Sequence, residues 1–179
     1  ISIEELKEWY QKLLDEYHKW LSYQKKWKEE RNHSLQSLEF PFSYREGQRK
    51  MVSSVYHAIG ASRQIFIQAP TGVGKTMSTI FPAVRAVGEG KGETIFYLTA
   101  KTITRTVAQE AFEVLREKGM KYKVVTITAK EKLCFMDETK CDPVHCPYAR
   151  GHFDRVNDAV YELWTTKSRY DRETIREQA

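Results

Sequence analysis

Residues 64–76 read Gln-Ile-Phe-Ile-Gln-Ala-Pro-Thr-Gly-Val-Gly-Lys-Thr, and an apolar run at helical spacing follows at once. A short β-branched and aromatic segment, a glycine-containing turn and a helix in immediate succession leave few folds open. Gly72 and Gly74 allow φ above zero and let the backbone approach a ligand closely. Amides at the start of the following helix then face an anion. Lys75 brings a cation to the β/γ-phosphates of a nucleotide, and the Thr76 hydroxyl suits Mg²⁺. Ala69, Pro70, Thr71, Gly72, Val73, Gly74, Lys75 and Thr76 therefore fit the phosphate-loop pattern, with Ala in the first glycine position. A nucleotide with Mg²⁺ is the expected ligand, held by Lys75 and Thr76. The competing reading is a plain strand-to-helix turn carrying a surface lysine.

The surrounding pattern alternates. Arg49 to Ala58 predicts a helix, Gln64–Ala69 a strand, and Lys75 to about Gly88 a helix kinked at Pro82. Thr94–Ala100 predicts the next strand, 103–118 a helix ended by Gly119, and Lys123–Thr128 a third strand. Strands separated by helices imply right-handed crossovers and a mainly parallel sheet, hence an α/β class. Phe153, Val156, Val160 and Leu163 mark a further amphipathic helix, and another helical pattern begins near Asp171.

Residues 1–39 contain neither Gly nor Pro. Leu6, Tyr10, Leu13, Tyr17, Trp20, Gln24 and Trp27 follow steps of four and three, the spacing of one helical seam. Aromatics at so many seam positions suit docking on a neighbouring surface of the same protein better than a regular coiled coil. The helix is expected to stop near Phe40-Pro41.

The chain has 179 residues, with 29 Lys and Arg against 24 Asp and Glu, a net charge of +5. Residues 101–132 hold eight basic side chains against four acidic. Such an excess permits a polyanionic partner without requiring one. No apolar run approaches the ~20 residues of a membrane span. With no signal-peptide pattern and Ile at position 1, the expectation is a piece of a longer cytoplasmic protein.

Ala-Pro-Thr-Gly-Val-Gly-Lys-Thr with Ala first resembles motif I of the superfamily 2 helicases. Upstream, Phe40-Pro41-Phe42-Ser43-Tyr44-Arg45-Glu46-Gly47-Gln48 resembles their adenine-reading Q motif, which implies Tyr44, Arg45 and Gln48 as nucleotide contacts. A Gln amide both donates and accepts, as an adenine edge requires. Tyr97-Leu98-Thr99-Ala100-Lys101-Thr102 resembles motif Ia, which implies Thr99, Lys101 and Thr102 on the backbone of single-stranded DNA. A strand end followed by a Thr102 helix cap explains the same residues without DNA.

Three cysteines fall at Cys134, Cys141 and Cys146, with Pro147-Tyr148-Ala149 after the last. Their clustering points to metal chemistry in a reducing compartment rather than to a disulfide framework. His145 and His152 could complete a Cys₃His zinc set. The spacing resembles the insertion of the DinG/XPD-like iron–sulfur helicases, and its bacterial DinG-like branch in particular. That resemblance implies a [4Fe–4S] cluster on Cys134, Cys141 and Cys146 with a fourth ligand beyond residue 179. Asp15-Glu16-Tyr17-His18 has the shape of the Mg²⁺-holding motif II but precedes the phosphate loop within a helix, and is read as coincidence.

The resemblance divides the chain into a helical extension (1–39), the first part of a RecA-like motor domain (40–132) and the start of the cluster insertion (133–179). It implies a parent that couples ATP hydrolysis to 5′→3′ movement on single-stranded and forked duplex DNA. The parent is expected to be a cytoplasmic bacterial protein acting as a monomer, and this portion alone is expected not to turn over ATP. An ATP-binding module with a zinc knuckle, serving as an interaction platform, is the alternative from another class, and an RNA-directed motor of the same superfamily is a third.

Overall fold

A computed structural model describes residues 1–100 and 102–178; Lys101, Ala179 and the side chain of Thr102 lie outside the described residues. Seven helices and two short strands are defined among them: α1 (Ile3–Gln36), α2 (Gln48–Gly60), α3 (Lys75–Gly88), α4 (Thr102–Glu117), β1 (Val124–Val125), α5 (Lys130–Leu133), α6 (His152–Thr166), β2 (Arg169–Tyr170) and α7 (Arg172–Gln178). They group into two units, Gln24–Tyr122 and Ile1–Tyr23 with Lys123–Ala179.

The Gln24–Tyr122 unit is helical. Met51, Val52 and Val55 on α2, Ile80, Phe81, Val84 and Val87 on α3, and Ala111, Phe112 and Leu115 on α4 form its buried core. Each fully buried aliphatic side chain contributes ~1.5–3 kcal/mol. Val107 on α4 is exposed. Leu35 and Leu38, at and just past the end of α1, are buried too. Leu35 lies so close to α3 that a Cβ on Gly88 would stand 2.6 Å from the Leu35 Cβ. Gln36 Nε2 donates to Gly88 O at 2.7 Å, and Arg85 donates to the carbonyls of Gln36 and Leu38. α3 runs unbroken through the buried Pro82. Its end folds back with Lys91 N donating to Ala86 O at 2.9 Å, Gly90 being left-handed at φ 75°.

The segments expected as strands, Gln64–Ala69 and Thr94–Ala100, are not joined into a sheet among the described residues. Neither segment has a strand partner among the described residues. A lone extended segment leaves its N–H and C=O groups to water and gains nothing from a ladder. Phe66, Phe96 and Leu98 are correspondingly exposed.

In the other unit, Ser2 and Glu5 form a reciprocal capping box at the start of α1: Glu5 N donates to Ser2 Oγ at 3.1 Å and Ser2 N to Glu5 Oε2 at 2.7 Å. Of the expected seam, Trp20 meets α6, whereas Leu6, Tyr10, Leu13 and Tyr17 are exposed. Trp20 stacks on Trp164 with centroids 5.3 Å apart and meets Tyr161 edge-on at 4.9 Å. The Tyr23 hydroxyl donates to Trp164 O at 3.2 Å. The third expected strand shortens to β1, which pairs in parallel with β2 in the register Val124–Arg169 and Val125–Tyr170. Lys123, just before β1, points into a cage: its Nζ donates to Lys167 O at 3.1 Å, to Tyr170 Oη at 3.0 Å and to Trp164 O. The faces of Tyr23, Trp164 and Tyr170 surround it at 5.5–5.8 Å. Burial pulls the Lys123 pKa down to about 8. Asp171 caps α7, accepting from Glu173 N at 3.0 Å and Thr174 N at 3.1 Å.

No helix is long and apolar enough to cross a membrane among the described residues.

Candidate nucleotide-binding site

The segments 40–48 and 69–76 meet within the Gln24–Tyr122 unit. Gly72 and Gly74 are both left-handed, at φ 84° and 74°, and Gly74 caps the start of α3. The first amides of α3 are the ones a helix leaves without an internal partner. Lys75 is the first residue of α3, and its Nζ turns back to donate to Ala69 O at 3.0 Å and Pro70 O at 2.6 Å. Thr76 follows it, half-buried. Two left-handed glycines, helix-start amides, an ammonium and a hydroxyl close together in sequence form a donor set that fits an Mg²⁺-bound polyphosphate.

Arg45 reaches the same loop, its guanidinium donating to Gly72 O. Gln48 is buried, at 4% exposure. Its Oε1 accepts from Arg45 N at 3.0 Å, and its Nε2 lies 2.5 Å from where a Cβ on Gly74 would stand. Tyr44 stacks on Phe40 with centroids 4.3 Å apart and an interplanar angle of 11°. Tyr44 also lines an open cavity of about 480 Å³ shared with Leu38, Arg49, Val52, Phe81 and Pro82. Glu89 stands on its rim, held below the usual carboxylate range first by hydrogen bonding from Lys91 and next by the Tyr56 hydroxyl. Sequence reasoning missed this cavity, because Arg49, Phe81 and Pro82 read as ordinary helix residues.

Of the DNA-contact residues expected, Thr99 lies exposed, outside any helix or strand. Lys101 and the Thr102 side chain fall outside the described residues, and the Thr102 backbone opens α4.

A family model for the DEAD/DEAH box helicases matches residues 45–148, more than half the chain. The chain belongs to the DEAD/DEAH box helicase family. A protein described as a probable ATP-dependent helicase, from Methanocaldococcus jannaschii, is 29% identical over 123 residues, which cover 66% of this chain and 18% of that relative. The chain thus spans under a fifth of the length of this helicase relative. No solved structure matches it.

The cysteine segment of this helicase-family chain lies in the other unit and does not gather a metal set. Cys134 is half-buried, Cys141 exposed and Cys146 buried. Among the described residues no three His, Cys, Asp or Glu side chains are placed to hold an ion. As placed, these side chains support neither a [4Fe–4S] cluster nor the Cys₃His zinc site. Other interactions order the loop instead. His145 Nδ1 is 2.9 Å from both Asp142 carboxylate oxygens, and the Asp142 pKa is lowered, chiefly by that contact. The Lys130 pKa is raised, chiefly by the neighbouring Cys141 sulfur. Phe135 stacks on Tyr148, with Arg176 over its ring at 4.8 Å.

Proposed function

We propose that this chain is the nucleotide-binding front of an ATP-dependent helicase motor. In this reading Gly72, Gly74 and the first amides of α3 cradle the triphosphate, and Lys75 faces the transferring phosphate. Thr76 would hold the Mg²⁺, which supplies neutralisation of the charge that develops on the phosphoryl oxygens. Adenine would enter the cavity beside Tyr44, whose ring is already presented flat by the stack on Phe40. The observation that carries the reading is the pair of left-handed glycines at Gly72 and Gly74 placing Lys75 at a helix start, inside a segment that matches the helicase family.

The finer assignments rest on sequence resemblance. Segments 64–69 and 94–100 would be strands of a RecA-like parallel sheet, and Thr99, Lys101 and Thr102 would grip single-stranded DNA. Movement would run 5′→3′ on single-stranded and forked DNA, in a cytoplasmic, monomeric parent. The iron–sulfur branch is supported by the Cys134, Cys141 and Cys146 spacing only.

The test is ATP hydrolysis by the full-length protein with and without single-stranded DNA, followed by unwinding of duplexes bearing a 5′ or a 3′ tail. DNA-stimulated hydrolysis with unwinding from the 5′ tail is expected. ATP binding without any nucleic-acid stimulation would replace the motor with a non-motor ATP-binding module.

A further inference from the structure

We infer that Ser78 and Pro82 build a two-position switch into α3, in which the Ser78 hydroxyl closes on the Gly74 carbonyl when phosphate binds. The inference rests on the phosphate-loop reading above and makes Ser78 a positioning residue for the Lys75 amide.

Ser78 is at 0% exposure, and its Oγ has no hydrogen-bond partner among the described residues. A buried hydroxyl left unpaired bears the full cost of its desolvation. Pro82, four residues on in the same helix, has no N–H to give the Ser78 carbonyl. One turn of α3 therefore misses a rung of its ladder and holds a polar side chain in reserve.

Beyond that turn the helix is fixed. Val84 and Ala86 are fully buried, Arg85 donates to the Gln36 and Leu38 carbonyls, and Gln36 Nε2 donates to Gly88 O. The first turn is held differently, by Lys75 Nζ on the Ala69 and Pro70 carbonyls. Those are the contacts that a phosphate would take over, and losing them frees the first turn alone to tilt.

The closed position has a neighbouring precedent. Thr79 Oγ1 donates back to Lys75 O at 3.1 Å and to Thr76 O at 3.0 Å. The same back-bond from Ser78 would reach Gly74 O, which already accepts from Ser78 N at 3.0 Å and has two lone pairs. Such back-bonds bend a helix, and the rung missing at Pro82 permits the bend. Gly74 C=O and Lys75 N–H belong to one planar trans peptide and point opposite ways. A second bond drawing the carbonyl down the helix thus aims the amide at the anion.

The experiment measures two quantities on the full chain: the melting temperature without nucleotide, and MgATP affinity by titration calorimetry. Ser78→Ala is expected to move them in opposite senses. The melting temperature should rise by about 2–4 °C as the unpaired hydroxyl is removed. MgATP and magnesium tripolyphosphate should each bind about threefold to tenfold more weakly, as loss of one hydrogen bond would give. Pro82→Ala, which restores the rung, should weaken both by a similar factor and slow hydrogen exchange at the Ser78 and Thr79 amides. If Pro82→Ala fails to fold by circular dichroism, Ser78→Ala carries the comparison alone. A lower melting temperature in Ser78→Ala, or an affinity unchanged from wild type, overturns the inference. A wild-type chain that binds neither probe instead overturns the phosphate-loop reading itself.

Discussion

Lys75 Nζ lies 2.6 Å from the carbonyl oxygen of Pro70, so this ammonium is held by its own loop. In the proposed site, a nucleotide would have to take that ammonium over from the Pro70 and Ala69 carbonyls. The exchange replaces neutral acceptors with charged ones, roughly doubling the strength of each bond.

Lys75→Ala in the full-length protein is expected to lower ATP hydrolysis by at least about a hundredfold, because one charge facing the transition state is lost. Lys75 is exposed, so the melting temperature should move little. Wild-type turnover in the variant, measured by phosphate release, would remove the phosphate-loop assignment.

Gly88→Ala should destabilise the Gln24–Tyr122 unit by about 1–3 kcal/mol, the usual cost of overpacking. The added methyl would stand 2.6 Å from Leu35 Cβ and 3.2 Å from Gln36 N, one of them backbone. Gly92→Ala is the control, since nothing lies within 4 Å of its Cβ position. Urea denaturation of the two variants should separate them clearly, with Gly92→Ala within ~0.5 kcal/mol of wild type.

Lys123 predicts a pH dependence. Its folded pKa of about 8 lies below the ordinary 10.5. Between those values the unfolded chain binds more protons, so stability rises as pH climbs from about 8. The caged Tyr170 phenol is shifted above its ordinary 10.0 by burial, with the neighbouring Tyr23 adding to it. Above that pH the unfolded phenol ionises first, and stability falls again. Thermal melts from pH 7.5 to 10 should show the rise in wild type and a flatter profile in Lys123→Met. An equal rise in both proteins would dissociate it from this lysine.

The cysteine spacing predicts metal in the full-length protein purified without oxygen. Iron and acid-labile sulfide in near-equal amounts, with a brown colour lost in Cys141→Ser, is the expected result. It would require the loop to rearrange, since Cys141 is exposed and Cys146 buried. One zinc per chain and no colour would instead favour the knuckle.

Much of the helical structure was legible because it rests on short-range chemistry. The aromatic seam of residues 6–27 announced α1, and Trp20 from that seam finds Trp164. Gly72, Gly74 and Lys75 announced the loop because φ and charge are local properties. The strands were less legible. β-branched residues at 64–69 and 94–100 state a preference, but a strand also needs a partner, and the preference names none. β2 escaped notice altogether, since two residues, Arg169 and Tyr170, carry no alternation to read. Gln48 was ambiguous for another reason. An amide has a donor and an acceptor at once, so its sequence position could not say whether base or backbone would take them.

Phe66 and Leu98, at 94% and 89% exposure, stand on extended segments whose edges are open among the described residues. An open edge accepts a strand from a neighbouring copy as readily as one from its own chain. The yield of folded protein therefore becomes a race between intramolecular pairing and encounter, decided by expression rate and chaperone supply as much as by equilibrium stability.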